Sequence, residues 1–307
     1  MRPTPALASF ITTLFLAHAA AADLLPFEIS TAEALTGQVR WLAEKLSKQN
    51  LLYQLHLGDV HKSDLVATAA KLDRSLEMLA EGSPTFGIPA PWTPEIRAQI
   101  RRLDEVWGPL RAIATASPYE YLRRSREFMT PESRLGDPLS IRYFDVLRSD
   151  LVAEADKLGA LYDHECRRSG FPLCDAARIS GATETMLERA AKEAIMVFAG
   201  IDVEENKKAL KVTVAAFQRQ RAENEASNFF KAATAPEEGK SGEVTAQLLA
   251  DVRKDWAEMS AEFDDLLAGK TADFDLPLVL KRQRRIIGSV ERLRMVMGRF
   301  FDRKYGA

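Results

Sequence analysis

The chain carries one pattern twice, and this governs what it can fold into. Gly37 aligns with Gly181 at an offset of 144, which also pairs Lys45 with Arg189 and Lys48 with Lys192. LGDV at 57–60 then faces GIDV at 200–203. LVATAAKLDR (65–74) faces LKVTVAAFQR (210–219) at an offset of 145, pairing Thr68 with Thr213. LDEVW (103–107) faces VRKDW (252–256) at 149, bringing Trp107 against Trp256. Finally, Pro138-Leu139 faces Pro277-Leu278, and Gly159 faces Gly298, at 139. Offsets that hold within a segment and jump between segments are what loop insertions leave behind in a tandem duplication. The expected units are residues 23–168 and 169–307.

Each unit reads as four helices. In the first, Val39, Leu42, Leu46 and Tyr53 recur at helical spacing over about 31–56, with Ser30 and Glu33 as a capping box. A second helix covers about 62–80 and stops before Gly82. After the proline-rich loop GSPTFGIPAPWTP, Thr93 caps a third helix that opens on Pro94 and reaches about Ala116. A short helix near 119–128 is an insertion, and a fourth spans about 139–168. The second unit places helices near 175–199, 204–231, 243–267 and 276–304, with a polar loop at 234–243. No stretch alternates with period two, so strands are not expected. Antiparallel helices on short loops make this an all-α chain of two tandem four-helix bundles.

The first 22 residues read as an address. Arg2 is followed by a short apolar stretch and then Ala20-Ala21-Ala22, the pattern of a signal peptide cleaved after Ala22; the alternative is an uncleaved N-terminal anchor. No later segment is apolar enough to span a bilayer. The mature protein is thus expected to be soluble and periplasmic. In that oxidising setting Cys166 and Cys174, on either side of a Gly-Phe-Pro turn, are placed for a local disulfide. A free redox or metal-binding pair is the other reading, without a CxxC to support it.

Composition excludes several functions. Lys and Arg number 42 against 44 Asp and Glu, which leaves no overall basic footprint for nucleic acid. Haem-attachment, phosphate-loop, zinc-protease and nucleophile-elbow motifs are all missing, so no enzyme activity and no cofactor is expected. His56 and His61 do not share a helical face and no metal-ligand ladder accompanies them, so no metal site is expected either, and neighbouring helix residues point apart, so His164 and Cys166 are not expected to form a nucleophile pair. Trp107 and Trp256 read as core landmarks. The basic run 281–304, which includes Lys281, Arg284, Arg285, Arg292 and Arg294, reads as a solvated face of the last helix or as a docking face for an acidic partner or anionic surface.

The segments after the two glycines, RWLAEKLSKQNLL after Gly37 and MLERAAKEAIMVFAGIDVEEN after Gly181, resemble the PilJ-type sensory domain of type IV pilus chemotaxis transducers. That domain is related in outline to the nitrate-sensing bundle of NarX-type kinases. Gly37, Arg40, Leu42 and Lys48 match the family's first-helix pattern, with Lys45 replacing an arginine. The second unit keeps Gly181, Arg189, Lys192 and Glu193. The resemblance implies a small-ligand sensor in which two first helices meet around Arg40, Lys45 and Arg189. Arginine offers a planar fork of donors to an oxyanion. Glu184 stands where Arg40 has its counterpart. Pairing between the two would cancel the anion site or convert it to one for a zwitterion. The bland alternative makes these residues solvated helix charges in pairs such as Glu188 with Lys192. The partners implied are a small anion or zwitterion and a membrane receptor; an envelope protein docked on the last helix is the alternative.

Overall fold

A computed structural model describes residues 26–57, 60–116, 138–169, 173–226, 230–231, 234–235 and 240–305. The signal-peptide segment and the short helix expected at 119–128 lie outside the described residues. Eight α-helices follow in order among them. They are α1 (Pro26–Gln54), α2 (Lys62–Glu81), α3 (Pro94–Thr115) and α4 (Pro138–Ser169), then α5 (Leu173–Phe198), α6 (Val203–Ala226), α7 (Lys240–Leu267) and α8 (Leu276–Tyr305). No described residue lies in a strand beyond the isolated bridge Ser83–Ile88.

Local chemistry sets most of the boundaries. Thr93 Oγ1 accepts from the Ile96 N–H at 3.1 Å and Pro94 opens α3, as expected for an N-cap followed by proline. Gly82, at a positive φ (78°) that favours glycine, ends α2. The Ser30–Glu33 capping box does not form. The helix is already under way at Pro26, whose fixed φ suits a first turn, and the Ser30 hydroxyl donates instead to the Phe27 carbonyl at 2.8 Å. The polar loop expected at 234–243 is overrun by α7, which begins at Lys240.

The first four helices close into a ring: α1 packs on α2 and α4, and α3 fills the space between α2 and α4. Their shared core holds Leu42, Leu72, Leu103, Trp107 and Leu151, all essentially without solvent exposure. The indole of Trp107 is anchored by an Nε1–H bond to Asp73 at 2.7 Å. In the second group α5 packs on α6 and α8, and α7 lies along α8 around Phe217, Trp256 and Phe263. Phe217 and Trp256 stack with ring centroids 3.9 Å apart. Leu65, Thr68, Ala69 and Leu72 are buried on α2, and so are Leu210, Thr213, Val214 and Phe217 on α6, at the one offset read from the sequence.

The two groups meet along α1 and α5. At the closest approach the glycines face each other: a Cβ on Gly181 would stand 2.7 Å from the Gly37 Cα. Only the absence of a side chain allows backbones so near. Both helices end in the same way. Leu57 N–H bonds back to the Leu52 carbonyl, and Ile201 N–H to that of Met196, each at 2.9 Å, with His56 (φ 54°) and Gly200 (φ 75°) in the left-handed position between. This sets Leu57 opposite Ile201 and extends the offset of 144 through the whole helix, correcting the LGDV–GIDV alignment by one residue.

Candidate functional site

The α1–α5 seam carries charge where a bundle usually carries hydrocarbon, and the charges exchange partners across it. Glu44 of α1, fully buried, accepts from Arg189 Nε at 2.9 Å and lies 3.8 Å from Lys192 Nζ, both on α5. Reciprocally, Glu188 of α5 pairs with Lys48 of α1 at 2.6 Å. Glu44 and Glu188, Lys45 and Arg189, and Lys48 and Lys192 are the pairs related by the 144-residue offset. Residue i meeting j while the counterpart of j meets the counterpart of i is the signature of a two-fold arrangement. The intrahelical Glu188–Lys192 pair expected from spacing is therefore not the one formed.

The two halves of the seam are completed differently. Around Glu44, α4 supplies Arg148, which donates to Glu44 at 2.9 Å, and Asp145, which accepts from Lys192 at 2.6 Å. Burial opposes the charge on Glu44, but Lys192, Arg148 and Arg189 outweigh it and hold the carboxyl below its ordinary range. Burial likewise works against Asp145, and Lys192 and Arg148 bring it down to about 2. Around Glu188, α8 supplies Gln283 instead. Its Nε2 donates to Glu188 at 2.8 Å and its Oε1 accepts from Lys48 at 2.6 Å. At the offset of 139 the position of Asp145 is taken by Arg284 and that of Arg148 by Ile287.

Beside this second half lies a cleft of about 820 Å³, bounded by α1, α2, α5 and α8. Its polar wall includes Lys45, Lys48, Lys71 and Arg284. Its apolar wall includes Trp41, Phe198, Phe274, Leu280 and Ile287. Lys45 Nζ lies 5.0 Å from the centre of the Trp41 ring. Burial lowers the pKa of Lys45, and the charges of Lys71 and Lys48 add to this against the pull of Glu188. Lys45, Lys71 and Arg284 have no carboxylate within ion-pair distance among the described residues. The anions on the wall are largely committed: Glu188 to Lys48 and Gln283, and Asp64 to the His61 N–H at 2.7 Å. Glu291 remains. Two buried polar atoms on the wall, Trp41 Nε1 and Gln49 Oε1, also have no hydrogen-bond partner.

The four residues expected to form one site are dispersed. Only Lys45 lines the cleft. Arg40 turns into its own bundle and pairs with Asp156 of α4 at 2.9 Å, not with Glu184. Arg189 is held by Glu44. Glu184 is buried with Oε1 unpartnered, and burial raises its carboxyl to about 7 against the opposing charge of Arg294. Cys166 is buried on α4, whereas the side chain of Cys174 lies outside the described residues. Sequence reasoning passed over Trp41, Lys71 and Gln283, and read Arg284 only as one charge of the basic run 281–304. An aromatic and a glutamine placed among helix charges are the one signal that was available for two of them.

The arrangement is that of a helical-bundle protein with a positively biased cleft at the junction of its two groups. Residues 30–124 match the PilJ family, described as the type IV pili methyl-accepting chemotaxis transducer N-term. The matched stretch, similar to a PilJ-type sensory domain, is under a third of the chain; it takes in most of α1 and all of α2 and α3 and ends before α4. No curated protein and no solved structure matches the chain. No described helix is long and apolar enough to cross a membrane, and the described residues hold no cluster of metal-ligating side chains.

Proposed function

We propose that this chain is an exported, periplasmic ligand-binding protein built from two tandem PilJ-like bundles. It binds a small anion or zwitterion and presents the bound state to a membrane receptor, without catalysis. The observation that carries this reading is the cleft beside Lys45, at the junction of the two helical groups, where three cations lack carboxylate partners among the described residues. A ligand there touches both groups at once and biases their packing, as a sensor requires. The duplication, with units at 23–168 and 169–307 and a distant relation to NarX-type bundles, draws support from the reciprocal ion pairs and the matched helix ends. Residues 1–22 serve as the signal peptide in this reading, and a Cys166–Cys174 disulfide fastens the turn between α4 and α5.

A thermal-shift screen of residues 23–307 against anions and amino acids tests it. A ligand at 100 times its Kd stabilises by about 2.7 kcal/mol. The expected result is a hit that Lys45→Met abolishes; a blank screen refutes the sensor. A second reading, docking of an envelope protein on α8, is favoured by the exposure of Lys281, Arg285 and Arg292. Reversing those charges would then release that partner.

A further inference from the structure

The two halves of the seam differ in one respect that bears on the ligand's identity. In the half around Glu44, the α5 cations are answered from within the protein: the Asp145 carboxylate accepts from Lys192 at 2.6 Å and is bound by Arg148 at 2.9 Å. In the half around Glu188, the counterpart of Lys192 is Lys48, and the position of Asp145 carries Arg284. A carboxylate is thus replaced by a guanidinium, in a place where Lys45, Lys48 and Lys71 already gather. Lys48 is answered by Glu188 and Gln283, but among the described residues Lys45, Lys71 and Arg284 are not, and the like charges of Lys71 and Lys48 work against the charge on Lys45.

The volume around them argues in the same direction. Where Arg148 fills the first half, Ile287 lines the open cleft of the second, together with Leu280, Phe198 and Phe274. About 820 Å³ is within the range of sites for whole organic molecules and far exceeds what an inorganic oxyanion fills. The indole Nε1–H of Trp41 is an unused donor on the same wall, suited to an acceptor oxygen. Against three uncommitted cations stands one uncommitted carboxylate, Glu291, so the balance favours a net negative ligand.

Resting on the sensory reading above, we infer that the cleft takes an organic carboxylate with an aromatic or alkyl body. Its headgroup stands among Lys45, Lys48 and Arg284, where Asp145 stands in the other half, and its apolar body lies against Ile287, Phe198 and Phe274. The protein would then supply one of two related carboxylates from its own chain and take the other from solution.

Calorimetric titration of residues 23–307 with phenylacetate, acetate, nitrate and phenylalanine tests this. Phenylacetate is expected to bind most tightly, and Lys45→Met to weaken it at least about tenfold, the loss of one charge-assisted hydrogen bond. Arg284→Asp, at an exposed position, builds in the missing carboxylate. It is expected to raise the melting temperature of the ligand-free protein and to abolish phenylacetate binding. Arg102→Met, on the remote surface of α3, should change neither. Nitrate or acetate binding as tightly as phenylacetate, or phenylalanine binding more tightly, overturns the inference and leaves the sensor standing. So does an Arg284→Asp protein that binds phenylacetate like the parent. Binding of none of the four overturns this inference, and a blank in the wider screen removes the sensory reading as well.

Discussion

Replacing Gly181 with alanine tests whether α1 and α5 truly meet backbone to backbone. The added Cβ stands 2.7 Å from Gly37 Cα and 3.1 Å from the Gly37 carbonyl carbon, and both neighbours are main chain and cannot rotate away. Relief requires the helices to part by several tenths of an ångström along a seam full of buried ion pairs. Overpacking of this kind costs about 1–3 kcal/mol, and the gain in helix propensity from Gly to Ala returns about 1 kcal/mol. Gly37→Ala comes no nearer than 3.1 Å, to the Gly181 Cα, with Arg40 Nη2 and the Gly181 nitrogen at 3.6 and 3.8 Å, and should be milder. Gly108→Ala, in the middle of α3, meets nothing within 4 Å and keeps the propensity gain alone. The expected order of stability is therefore Gly108→Ala above the parent, and Gly181→Ala below Gly37→Ala. Urea denaturation followed by circular dichroism at 222 nm measures it, with about 2–4 °C of melting temperature per kcal/mol as a check. A Gly181→Ala protein as stable as Gly108→Ala would falsify the close crossing.

Other outcomes follow from the buried charges. Glu44→Ala leaves Arg148, Arg189 and Lys192 without their shared carboxylate and should cost about 3–5 kcal/mol by the same denaturation assay, whereas Arg102→Ala on the surface should cost under about 0.5 kcal/mol. Burial raises Glu184 and Glu193 to about 7, so the folded chain holds protons that the unfolded chain has released above its ordinary carboxyl range near 4.5. Stability should therefore fall as pH rises from about 5 to 8, by on the order of 3 kcal/mol for each group. Glu184→Gln should remove its share of that slope, and an unchanged slope would refute the assignment. Asp145 and Glu44 work in the opposite sense: their depressed values stabilise the fold above the unfolded carboxyl range, and that contribution is lost as pH drops toward 2. Acid titration of the Asp145→Asn protein should lack the Asp145 share of this loss and keep that of Glu44.

The helices were legible because their chemistry is local. Thr93 and Pro94 announce α3, Gly82 closes α2, and the spacing of Leu65, Leu72 and Leu79 declares a buried face. The glycine pair was legible as a repeat landmark, but its role was not, since nothing in either segment says that Gly37 and Gly181 touch. The site failed for a related reason. Glu44 with Lys48 and Glu188 with Lys192 have the spacing of intrahelical pairs, and that spacing serves equally well for reciprocal pairing between helices. Which neighbour a charge chooses is decided by the crossing point. Five residues along α1, about 140° around the helix, send Arg40 to Asp156 and Lys45 into the cleft. Arg284 was read as one of many charges in a basic run; its meaning emerges only when the 139-residue offset is set beside the contacts that Asp145 makes with Lys192 and Arg148.

The α1–α5 seam also has a consequence for dosage. When such a pairing joins separate subunits, the fraction assembled falls on dilution, and a receptor's output drifts with the amount of protein made. Here both helices belong to one chain, with α2, α3 and α4 between them in sequence, so each meets the other at a fixed effective concentration. The poise of the seam is then the same at a few molecules per cell as at many, independent of the abundance of the protein.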